Sequence, residues 1–484
     1  MKILIASSEA VPYIKTGGLG DVVGALFKEY RKMKMDAQII LPLYKKIKKG
    51  KSVLENTGIT ITVPVGSKKI KGRIFIDQPS SYFIECDEYF GRPDLYGTPD
   101  GDYRDNASRF IFFSRGILEA CKALQLKPDV IHCNDWQTGM VPLYLKTLYR
   151  TDNFFKKTAT LFTIHNLGYQ GLFPSSEMSL TGLGSEFFRP EGIEFYGKVN
   201  FLKAGIISAV IINTVSNMYS KEIITQEFGF GLDGVLRKRV RDLYGVLNGI
   251  DIEEWDPEKD RLNPHHYSSR DLSGKVLCKK YLMNLLFGLK GQGLEDSPLI
   301  GMVGRLSAQK GLDLVIQSVS ELVSYGVRLA ILGKGEKIYH ETLSKLARKY
   351  DDKISVIIGF EETLAHQIYA GSDFFLMPSR YEPCGLGQLI AMRCGAIPIA
   401  RKTGGLLDTI HGYEPLTSRG TGFLFADYTA SAMLEAVKLA LCVYTDREKM
   451  RMMITNCMKM DFSWESSAKK YIELYRIALK RKRL

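Results

Sequence analysis

Two cations stand five residues apart in the segment GRLSAQKGLDLVI, residues 304–316, and this spacing suits a diphosphate. Arg305 and Lys310 follow an apolar run that ends near Val303, and a segment with helical periodicity comes after them. Two positive charges fixed in one loop can neutralise both phosphates of a leaving group, whereas a single cation is more often solvated. The loop therefore predicts a binding site for a diphosphate.

The sequence KTGG occurs twice, each time after an apolar run, in residues 15–26 and 401–410. Consecutive glycines allow positive φ and close backbone approach, and the N–H groups of a following helix attract anions. We expect the first helix to begin near Asp21, with Lys15 as a mobile cation, and the second near Gly404. Neither segment has the GxGxxG or GxxxxGK[ST] pattern. On spacing alone, an anion site and a tight strand–helix turn both stay open.

Three polar residues follow other apolar runs. Glu382 lies in PSRYEPCGLGQLIAM (378–392), where a carboxylate held in a stiff loop can bind hydroxyls or stabilise positive charge. Asp135 and His165 each come at the end of a run and precede turn-forming residues. Either one alone is more often structural. Two such residues at the carboxyl ends of strands in one domain favour a functional site.

The eight cysteines predict neither a disulfide framework nor a zinc site, because no pair has CxxC spacing. We interpret most of them as small buried residues in a protein of the reducing cytoplasm. Cys384 precedes a predicted helix, whose N-terminus would lower the pKa of the thiol and favour a nucleophile. Because no histidine lies nearby in the sequence to act as its base, we favour a packing role for Cys384.

Short apolar runs alternate with amphipathic segments along the whole chain, which is typical of parallel strands connected by helices. The runs are 2–7, 37–42, 129–134, 159–166 and 209–216, and then 298–305, 329–335, 354–360, 373–379 and 396–400. Residues 251–297, between the two sets, are rich in Asp, Glu, Pro, His and Ser and predict a domain boundary close to Ile250. The pattern predicts an α/β protein with two doubly wound domains and a cleft between them. A terminal helix follows, with Ser463 or Ser466 as its N-cap.

Composition excludes several classes of protein. The 484 residues are 45% hydrophobic and 25% charged, which is ordinary for globular proteins and unlike disordered chains. The apolar runs are too short for a membrane span or for the core of a secretory signal. Lys and Arg exceed Asp and Glu by 66 − 53 = 13. The basic clusters at 44–51, 67–73, 236–241 and 479–484 lie outside the motifs, so we interpret them as solvated faces and assign no nucleic-acid or membrane partner.

In their order along the chain, these motifs resemble those of the bacterial and plant glycogen and starch synthases. The segments that carry the resemblance are KTGGLGDV (15–22), NDWQTGMVP (134–142), TIHNLGYQGLFP (163–174), YGKVNFLKAGI (196–206), NTVSNMYSKEI (213–223), GVLNGIDIEEWDP (245–257), GRLSAQKGLDL (304–314), SRYEPCGLGQLIAM (379–392) and TGGLLDTI (403–410). The resemblance implies the GT-B fold, in which two Rossmann-like, doubly wound domains face a central cleft. It implies an N-terminal acceptor-side domain over 1–250, a C-terminal nucleotide-sugar domain over 251–462, and a helix over 463–484 that crosses back to the first domain.

The resemblance also implies a reaction and the residues that perform it. Glucose is transferred from ADP-glucose, with UDP-glucose as an alternative donor, to the non-reducing 4-OH of an α-1,4-glucan such as glycogen, with retention at the anomeric carbon and without a cofactor or metal ion. The residues in the catalytic motifs are Asp135, His165, Arg305, Lys310 and Glu382. The residues in the substrate-binding motifs are Lys15, Gly18, Asp21, Asn248, Phe360, Cys384, Gly385, Leu386, Thr403 and Gly405.

The resemblance gives several of these residues a particular task. Arg305 and Lys310 neutralise the diphosphate, and Glu382 holds the hydroxyls of the donor glucose. His165 binds the 6-OH of that glucose, and Asp135 orients the sugars. Lys15 and Gly18 touch the distal phosphate and the sugar, Asn248, Thr403 and Gly405 contact the donor, and Phe360 faces the nucleobase.

One position departs from the family pattern, and two other functions stay open. Gly387 stands where the motif commonly has Thr or Ser, which removes a hydroxyl near the donor loop and would loosen the nucleotide preference. No second carboxylate pairs with Glu382 in the sequence, which favours a front-face displacement over the two-carboxylate mechanism of retaining glycosidases. The alternatives are another retaining GT-B enzyme of the sucrose or trehalose type, and an inactive protein that binds glucan or nucleic acid.

Overall fold

The computed structural model describes residues 1–50, 52–77, 80–98, 101–288, 296–417 and 419–483. The chain divides into two units, Met1–Val246 with Trp464–Leu484, and Leu247–Ser463. The second unit therefore begins at Leu247, whereas the sequence pattern predicted a domain boundary close to Ile250. No helix within the described ranges combines the length and the apolar character that a membrane-crossing segment requires.

The first unit contains a sheet of nine described strands, most of them parallel. The described strands of the whole unit, five of which (β6, β7, β10, β11 and β12) lie outside this sheet, are β1 Lys2–Ala6, β2 Asp36–Pro42, β3 Glu55–Val65, β4 Lys68–Asp77, β5 Ser81–Glu85, β6 Gly97–Thr98, β7 Gly101–Asp102, β8 Val130–Asn134, β9 Ala159–Ile164, β10 Leu172–Pro174, β11 Glu194–Phe195, β12 Lys198–Asn200, β13 Ile211–Thr214 and β14 Leu243–Gly245. Its first eight helices are α1 Gly18–Lys32, α2 Lys45–Lys48, α3 Asp87–Phe90, α4 Asn106–Ala123, α5 Met140–Lys146, α6 Phe201–Ser208, α7 Asn217–Glu222 and α8 Asp233–Lys238.

The strand order of that sheet is β14-β13-β9-β8-β1-β2-β5-β4-β3. Neighbours from β14 to β5 pair in parallel, and β4 and β3 extend the edge as an antiparallel hairpin. The five apolar runs predicted in this half are β1, β2, β8, β9 and β13, so their prediction as parallel strands is confirmed. The hairpin was not predicted, because its side chains alternate between core and solvent: Ile61, Val63 and Val65 are buried among exposed neighbours.

The second unit contains a fully parallel sheet with helices between its strands. Its strands are β15 Leu299–Val303, β16 Arg328–Gly333, β17 Ile354–Ile358, β18 Phe374–Met377, β19 Ile397–Arg401 and β20 Phe423–Phe425, in the order β17-β16-β15-β18-β19-β20. Its helices are α9 Ser273–Phe287, α10 Leu312–Ser324, α11 Lys337–Lys349, α12 Glu362–Gly371, α13 Gly387–Arg393, α14 Gly404–Thr409, α15 Ala430–Tyr444 and α16 Arg447–Met458. The five predicted runs are β15 to β19, which again confirms them as parallel strands.

The polar segment 251–297 packs onto the second unit and contains α9. Buried Asp260 bonds the Nδ1 of His366 at 2.7 Å, and the ammonium group of Lys275 donates to the carbonyls of Ala370, Ser372 and Cys394 at 2.9–3.1 Å. These charged groups make tertiary contacts within the second unit. Composition alone does not distinguish such a segment from a solvent-exposed linker between domains. Residues 289–295 of the segment lie outside the described residues.

Helix α17, Trp464–Arg483, belongs to the first unit and is held there by a buried chain of hydrogen bonds. Tyr475 Oη accepts from Tyr30 Oη at 3.0 Å and donates to Nδ1 of His132 at 2.8 Å. The Nε2–H of His132 then donates to Thr163 Oγ1 at 2.6 Å. Burial lowers the pKa of His132 to about 3, so the imidazole is neutral and fits this donor pattern. The helix begins at Trp464, which leaves Ser463 at the N-cap position and places Ser466 inside the first turn.

Two of the basic clusters that the sequence analysis interpreted as solvated faces are mostly exposed, but each contains an arginine that makes tertiary contacts. Arg239, in the cluster 236–241, donates to the carbonyls of Ile206 and Ala209 and pairs with Asp242 at 2.8 Å. Arg481, in the terminal cluster, pairs with the other oxygen of Asp242. A guanidinium has five donors, so one arginine can bond backbone carbonyls and a carboxylate at the same time. The number of basic residues in a segment does not reveal such contacts.

We predict that Tyr475→Phe lowers the melting temperature by roughly 2–6 °C, because it leaves the Nδ1 of buried His132 without a donor at a cost of about 1–3 kcal/mol. Tyr281→Phe is the matched control, since the side chain of Tyr281 is 42% exposed. Thermal unfolding followed by circular dichroism measures both. Equal melting temperatures for the two variants would contradict the assignment.

Candidate functional site

Three loops at the carboxyl ends of β15, β18 and β19 meet backbone to backbone in the second unit. The N–H of Arg380 donates to the carbonyl of Gln309 at 2.9 Å, and the N–H of Gly405 donates to the carbonyl of Glu382 at 3.0 Å. A Cβ at Gly311, which has φ of 70°, would collide with the carbonyl of Pro378. The loops can approach this closely only because Gly311 has no side chain.

The carboxylate of Glu382 is buried in this group of loops and is 4% exposed. Its Oε2 accepts from Lys310 Nζ at 2.6 Å and from Ser379 Oγ at 3.0 Å. Within the described chain these are the hydrogen bonds of the Glu382 side chain. A carboxylate is stable in a buried position only when it is paired and hydrogen-bonded, so Lys310 and Ser379 offset the cost of burying the Glu382 side chain in the loop.

Arg305 is exposed and lines the same depression as Lys310 and Ser379. The depression also includes Val303 and Met377, at the carboxyl ends of β15 and β18. The structure thus brings both predicted cations and the predicted carboxylate to one edge of the sheet. This arrangement can bind a ligand that carries anionic groups beside hydroxyls.

Asn248 and Cys384 lie together behind the loops. The thiol of Cys384 is hydrogen-bonded to the backbone N–H of Asn248, and burial raises the pKa of that thiol to about 12. Cys384 is therefore a packed residue, as the sequence analysis favoured, and no thiolate is present at neutral pH. The Oδ1 of Asn248 is buried and has no hydrogen-bond partner among the described residues. An unpaired buried carbonyl costs about 1–3 kcal/mol and marks Asn248 as a position that a ligand hydroxyl would satisfy.

The remaining residues of these motifs lie in the loops after β18 and β19 and at the starts of the helices that follow them. Gly385 has φ of 72°, and Leu386 directly precedes α13. A Cβ at Gly387 would lie 3.1 Å from the ring of Phe375, so tight packing accompanies the departure from Thr or Ser at this position. Thr403 is buried and precedes α14, which begins at the predicted residue but has only six residues.

Phe360 lies apart from these loops in the sheet order. It follows β17, the edge strand, and its side chain is 73% exposed. Strand β16 separates β17 from β15. That this exposed ring faces the nucleobase stays a prediction.

In the first unit, Lys15, Gly18 and Asp21 belong to one turn and the helix that follows it. Lys15 Nζ pairs with Asp21 Oδ1 at 3.0 Å. Helix α1 begins at Gly18, so the predicted start near Asp21 is wrong by three residues. The glycines enter the helix because its first turns pack tightly: a Cβ at Gly20 would lie 2.6 Å from the Cβ of Lys15.

Glu9 is a residue of this site that the sequence analysis missed. It is 3% exposed, and it accepts hydrogen bonds from the N–H of Thr16, from Thr16 Oγ1 at 2.8 Å and from Tyr96 Oη at 2.6 Å. Glu9 thereby fixes the segment that carries Lys15. The available signal was its position three residues beyond the carboxyl end of β1, where an acid comes after the apolar run 3–6.

Asp135 and His165 come together at the carboxyl ends of β8 and β9. Asp135 Oδ1 accepts from the backbone N–H of His165 at 2.7 Å. Asp135 has φ of 54°, a strained conformation for a residue that has a Cβ. Burial raises the pKa of its carboxyl group to about 7, against the opposing effect of the N–H groups of His165 and Asn166.

His165 is neutral and half-buried. Its Nε2–H donates to Asn134 Oδ1 at 2.9 Å, because the amide NH₂ of Asn134 already donates to the carbonyls of Ala6 and His132. Burial lowers the pKa of His165 to about 3. This tautomer leaves Nδ1 as an acceptor, which suits a hydroxyl of a sugar better than a phosphate.

One further group of potential metal ligands occurs within the described residues, away from the predicted set. Glu254, Glu362 and His366 have ligand atoms within 4.8 Å of one another. His366 already bonds Asp260 and stacks on Trp255 with ring centroids 3.9 Å apart. The two glutamates are exposed, and exposed carboxylates need no ion for stability, so we assign no metal to this group.

Comparison with known proteins agrees with this architecture. Residues 2–238 match the family described as the starch synthase catalytic domain, and residues 290–460 match the glycosyl transferases group 1. Proteins named glycogen synthase from Thermodesulfovibrio yellowstonii and Geotalea daltonii are each 47% identical to the chain. Coverage is 98% of this chain and 97% of the first relative, and 100% of both chains for the second.

Solved structures give the same result. The catalytic domain of starch synthase IV from Arabidopsis thaliana, bound to ADP and acarbose, has a TM-score of 0.91 and 33% identity, with 99% of both chains covered. A sucrose-phosphate synthase from Thermosynechococcus elongatus has a TM-score of 0.61 at 17% identity over 99% of both chains, which shows the fold alone.

The matched domains and the two parallel-sheet units define a two-domain glycosyltransferase of the GT-B fold, as the sequence resemblance implied. Within this class of glycosyltransferases, relatives that are 47% identical over nearly the whole chain identify a single family. The chain belongs to the glycogen synthase family.

We predict that Asp135→Asn removes a pH dependence of stability. The folded pKa of about 7 lies above the ordinary value of 3.8, so protonation stabilises the folded protein. This contribution is complete below about pH 4 and is lost as the pH rises through 7. The wild-type melting temperature should therefore fall from pH 5 to pH 8 by more than that of the variant, whose amide oxygen still accepts from His165. Parallel curves in differential scanning calorimetry would contradict the assignment.

We also predict that iodoacetamide labels Cys442 in the native protein and leaves Cys384 unmodified at pH 7.5. Cys442 is exposed, while the other seven cysteines are buried. Peptide mass spectrometry after brief alkylation measures this, and labelling of all eight thiols in guanidinium chloride is the control. Rapid native labelling of Cys384 would show that its thiol is accessible and ionised.

Proposed function

We propose that this protein transfers glucose from ADP-glucose to the non-reducing 4-OH of an α-1,4-glucan, with retention at the anomeric carbon, and so elongates glycogen in the cytoplasm. The observation that carries the proposal is the pair of half-buried Lys310 and buried Glu382 beside Arg305. A nucleotide sugar has an anionic diphosphate next to a ring of hydroxyls, and this edge of the sheet offers cations next to a carboxylate. The ADP in the structure of starch synthase IV supports an adenine nucleotide.

The two cations would stabilise the departing diphosphate. Lys310 has three donors and uses one on Glu382, so it can also reach a phosphate oxygen without releasing the carboxylate. Arg305 adds a fixed charge that forms two parallel bonds to phosphate. Lys15 and the N-terminus of α1 at Gly18 contact the distal phosphate and the sugar. With these charges in place, the proposed reaction needs no metal ion or cofactor, and EDTA is expected to leave the rate unchanged.

The polar groups would hold the donor glucose. Glu382 accepts hydrogen bonds from the sugar hydroxyls through Oε1, its second carboxylate oxygen. The same carboxylate stabilises the positive charge that develops at the anomeric carbon. Asn248 Oδ1, unpartnered among the described residues, gains a hydroxyl donor. His165 accepts the 6-OH at Nδ1, and Asp135 orients the sugars, with its carboxyl group near its pKa at neutral pH.

Retention would follow from a displacement on one face of the sugar. The bond from the anomeric carbon to the phosphate oxygen breaks, and the bond from that carbon to the acceptor O4 forms on the same side. The proton of the 4-OH passes to the departing phosphate oxygen, so ADP leaves with the charge balanced. This route uses the single carboxylate of Glu382 for electrostatic stabilisation and needs no glycosyl-enzyme intermediate.

The other motif residues complete the donor site. We assign nucleobase stacking to Phe360 and donor contacts to Thr403 and Gly405. Cys384, Gly385 and Leu386 shape the loop that carries Glu382. UDP-glucose remains the alternative donor, because Gly387 has no hydroxyl with which to select the nucleotide.

The direct experiment measures nucleotide release from ADP-glucose and from UDP-glucose, with and without glycogen, while proton NMR follows the anomeric signal of the product. The proposal expects glycogen-dependent release of ADP that is faster than release of UDP, together with new α-1,4 linkages. Transfer to fructose or to a sugar phosphate but not to glycogen would favour an enzyme of the sucrose or trehalose type. Glucan binding without nucleotide release would show an inactive binding protein.

We predict that Lys310→Ala and Glu382→Gln each lower kcat/KM for ADP-glucose by about 10²–10³-fold, because each removes a group aimed at charge in the transition state. Lys337→Ala is the control for loss of one lysine, since the side chain of Lys337 is 89% exposed. Initial rates of ADP release measure all three variants, and unfolding curves check their folding. Wild-type rates in a folded Lys310→Ala variant would remove Lys310 from the site.

A further inference from the structure

Two exposed aromatic residues of the first unit have a backbone conformation that bulky residues rarely adopt. Tyr196 and Phe230 have φ of 47° and 48°, and they are 82% and 39% exposed. This left-handed region strains any residue with a Cβ and is used chiefly by Gly, Asn and Asp. Neither ring lies in the core, although the ring of Tyr196 contacts the ring of Phe195 edge to face, with centroids 4.7 Å apart. Strain of this kind is retained where a side chain is needed for function.

Tyr196 is the first residue of a two-residue hairpin turn. Strands β11 and β12 pair at Phe195 and Lys198, which leaves Tyr196 and Gly197 to connect them. Gly197 also has a left-handed φ, of 76°. A hairpin turn with two left-handed central residues favours Asn-Gly or Asp-Gly, so tyrosine is an unfavourable choice for the turn itself.

Phe230 occupies the same position in a second turn. The N–H of Leu232 donates to the carbonyl of Gly229 at 2.7 Å, which closes a four-residue turn around Phe230 and Gly231. Gly231 has φ of 79°. Two separate turns of this unit therefore have an aromatic residue where Asn would be favourable.

The two turns lie side by side. A Cβ at Gly231 would be 2.9 Å from the ring of Phe195 and 3.3 Å from the ring of Tyr196. Gln170 Nε2 donates to the carbonyl of Phe230 at 3.0 Å, which joins this turn to the loop that begins at His165. We call Tyr169, which is 48% exposed and adjacent to Gln170, together with Tyr196 and Phe230, the aromatic platform.

The platform continues from the proposed site along a fixed loop. Tyr169 follows His165 by four residues. Between them, the N–H of Leu167 donates to Tyr219 Oη at 3.1 Å and the N–H of Gly168 donates to Asn166 Oδ1 at 2.9 Å. A glucan whose terminal 4-OH reaches the glucose held at His165 would therefore extend its following units toward the platform.

We propose that the aromatic platform binds the acceptor glucan, with sugar rings stacked on Tyr196 and Phe230. Pyranose rings present faces of C–H groups that fit the negative face of an aromatic ring, and tyrosine hydroxyls can bond the sugar hydroxyls at the same time. The ligand is a neutral α-1,4-glucan of several units. The proposal rests on the proposed function, because it takes the acceptor from it.

The test separates the strain of the turn from the ring. Tyr196→Asn and Phe230→Asn remove a ring but supply the residue that the turn favours, so each variant should keep or raise the melting temperature, by about 1–2 °C. Each should weaken binding of maltoheptaose and glycogen, measured by calorimetry and affinity electrophoresis without a donor, by roughly 2- to 10-fold, and the double variant by more. Tyr196→Trp keeps an aromatic ring at this position and should keep wild-type binding.

Lys34→Asn is the matched control, because Lys34 is an exposed residue with φ of 55° and no aromatic ring. It should relieve backbone strain in the same way and leave glucan affinity at the wild-type value. Unchanged affinity in the double variant, at wild-type stability or above, would overturn the platform. A change only in oligomeric state, measured by light scattering, would show that the rings pack against a second copy and would also overturn it. Absence of glucose transfer by the wild type would instead refute the proposed function.

Discussion

One buried carboxylate constrains the architecture of the second unit. Glu382 is nearly removed from solvent, and an unpaired charge there would destabilise the fold, so Lys310 and Ser379 must approach it. That approach requires the loops after β15 and β18 to touch, which in turn requires glycine at position 311. The loop after β19 adds its own backbone bond through Gly405. The ion pair of Lys310 with Glu382 and the contact of the three loops therefore depend on each other.

The first unit shows the same principle with neutral groups. Behind the site, His132 is kept uncharged by burial and joins Tyr475 of α17 to the sheet. At the carboxyl ends of β8 and β9, Asn134 Oδ1 accepts from the His165 ring and orients it. The backbone N–H of His165 donates to the carboxylate of Asp135. Each polar residue at the carboxyl ends of β8 and β9 is therefore fixed by a partner. Binding groups held in this way lose little entropy when a ligand arrives.

The sequence was sufficient for the parallel strands and for most residues at their carboxyl ends, because both follow from local pattern. Apolar runs such as 129–134 and 373–379 predicted β8 and β18, and the polar residues after them predicted the location of the site. Contacts between segments that are far apart in the sequence could not be predicted, because local pattern does not encode them. Lys310 and Glu382 are 72 residues apart, and no local signal indicates that they pair. Glu9, the hairpin of β3 and β4, the role of Arg239 and the left-handed turns at Tyr196 and Phe230 depend on tertiary packing in the same way.

The central claim is that Lys310 and Glu382 act as one unit toward the donor, and a double-mutant cycle on kcat/KM for ADP-glucose tests it most directly. Residues that act together lose their effect together, so Lys310→Ala with Glu382→Gln should cost little more than either change alone. Each single variant and the double variant are compared under the same glycogen concentration, with folding checked by circular dichroism. Strongly non-additive losses are predicted. Losses that multiply would show two independent residues and would contradict this account of the site.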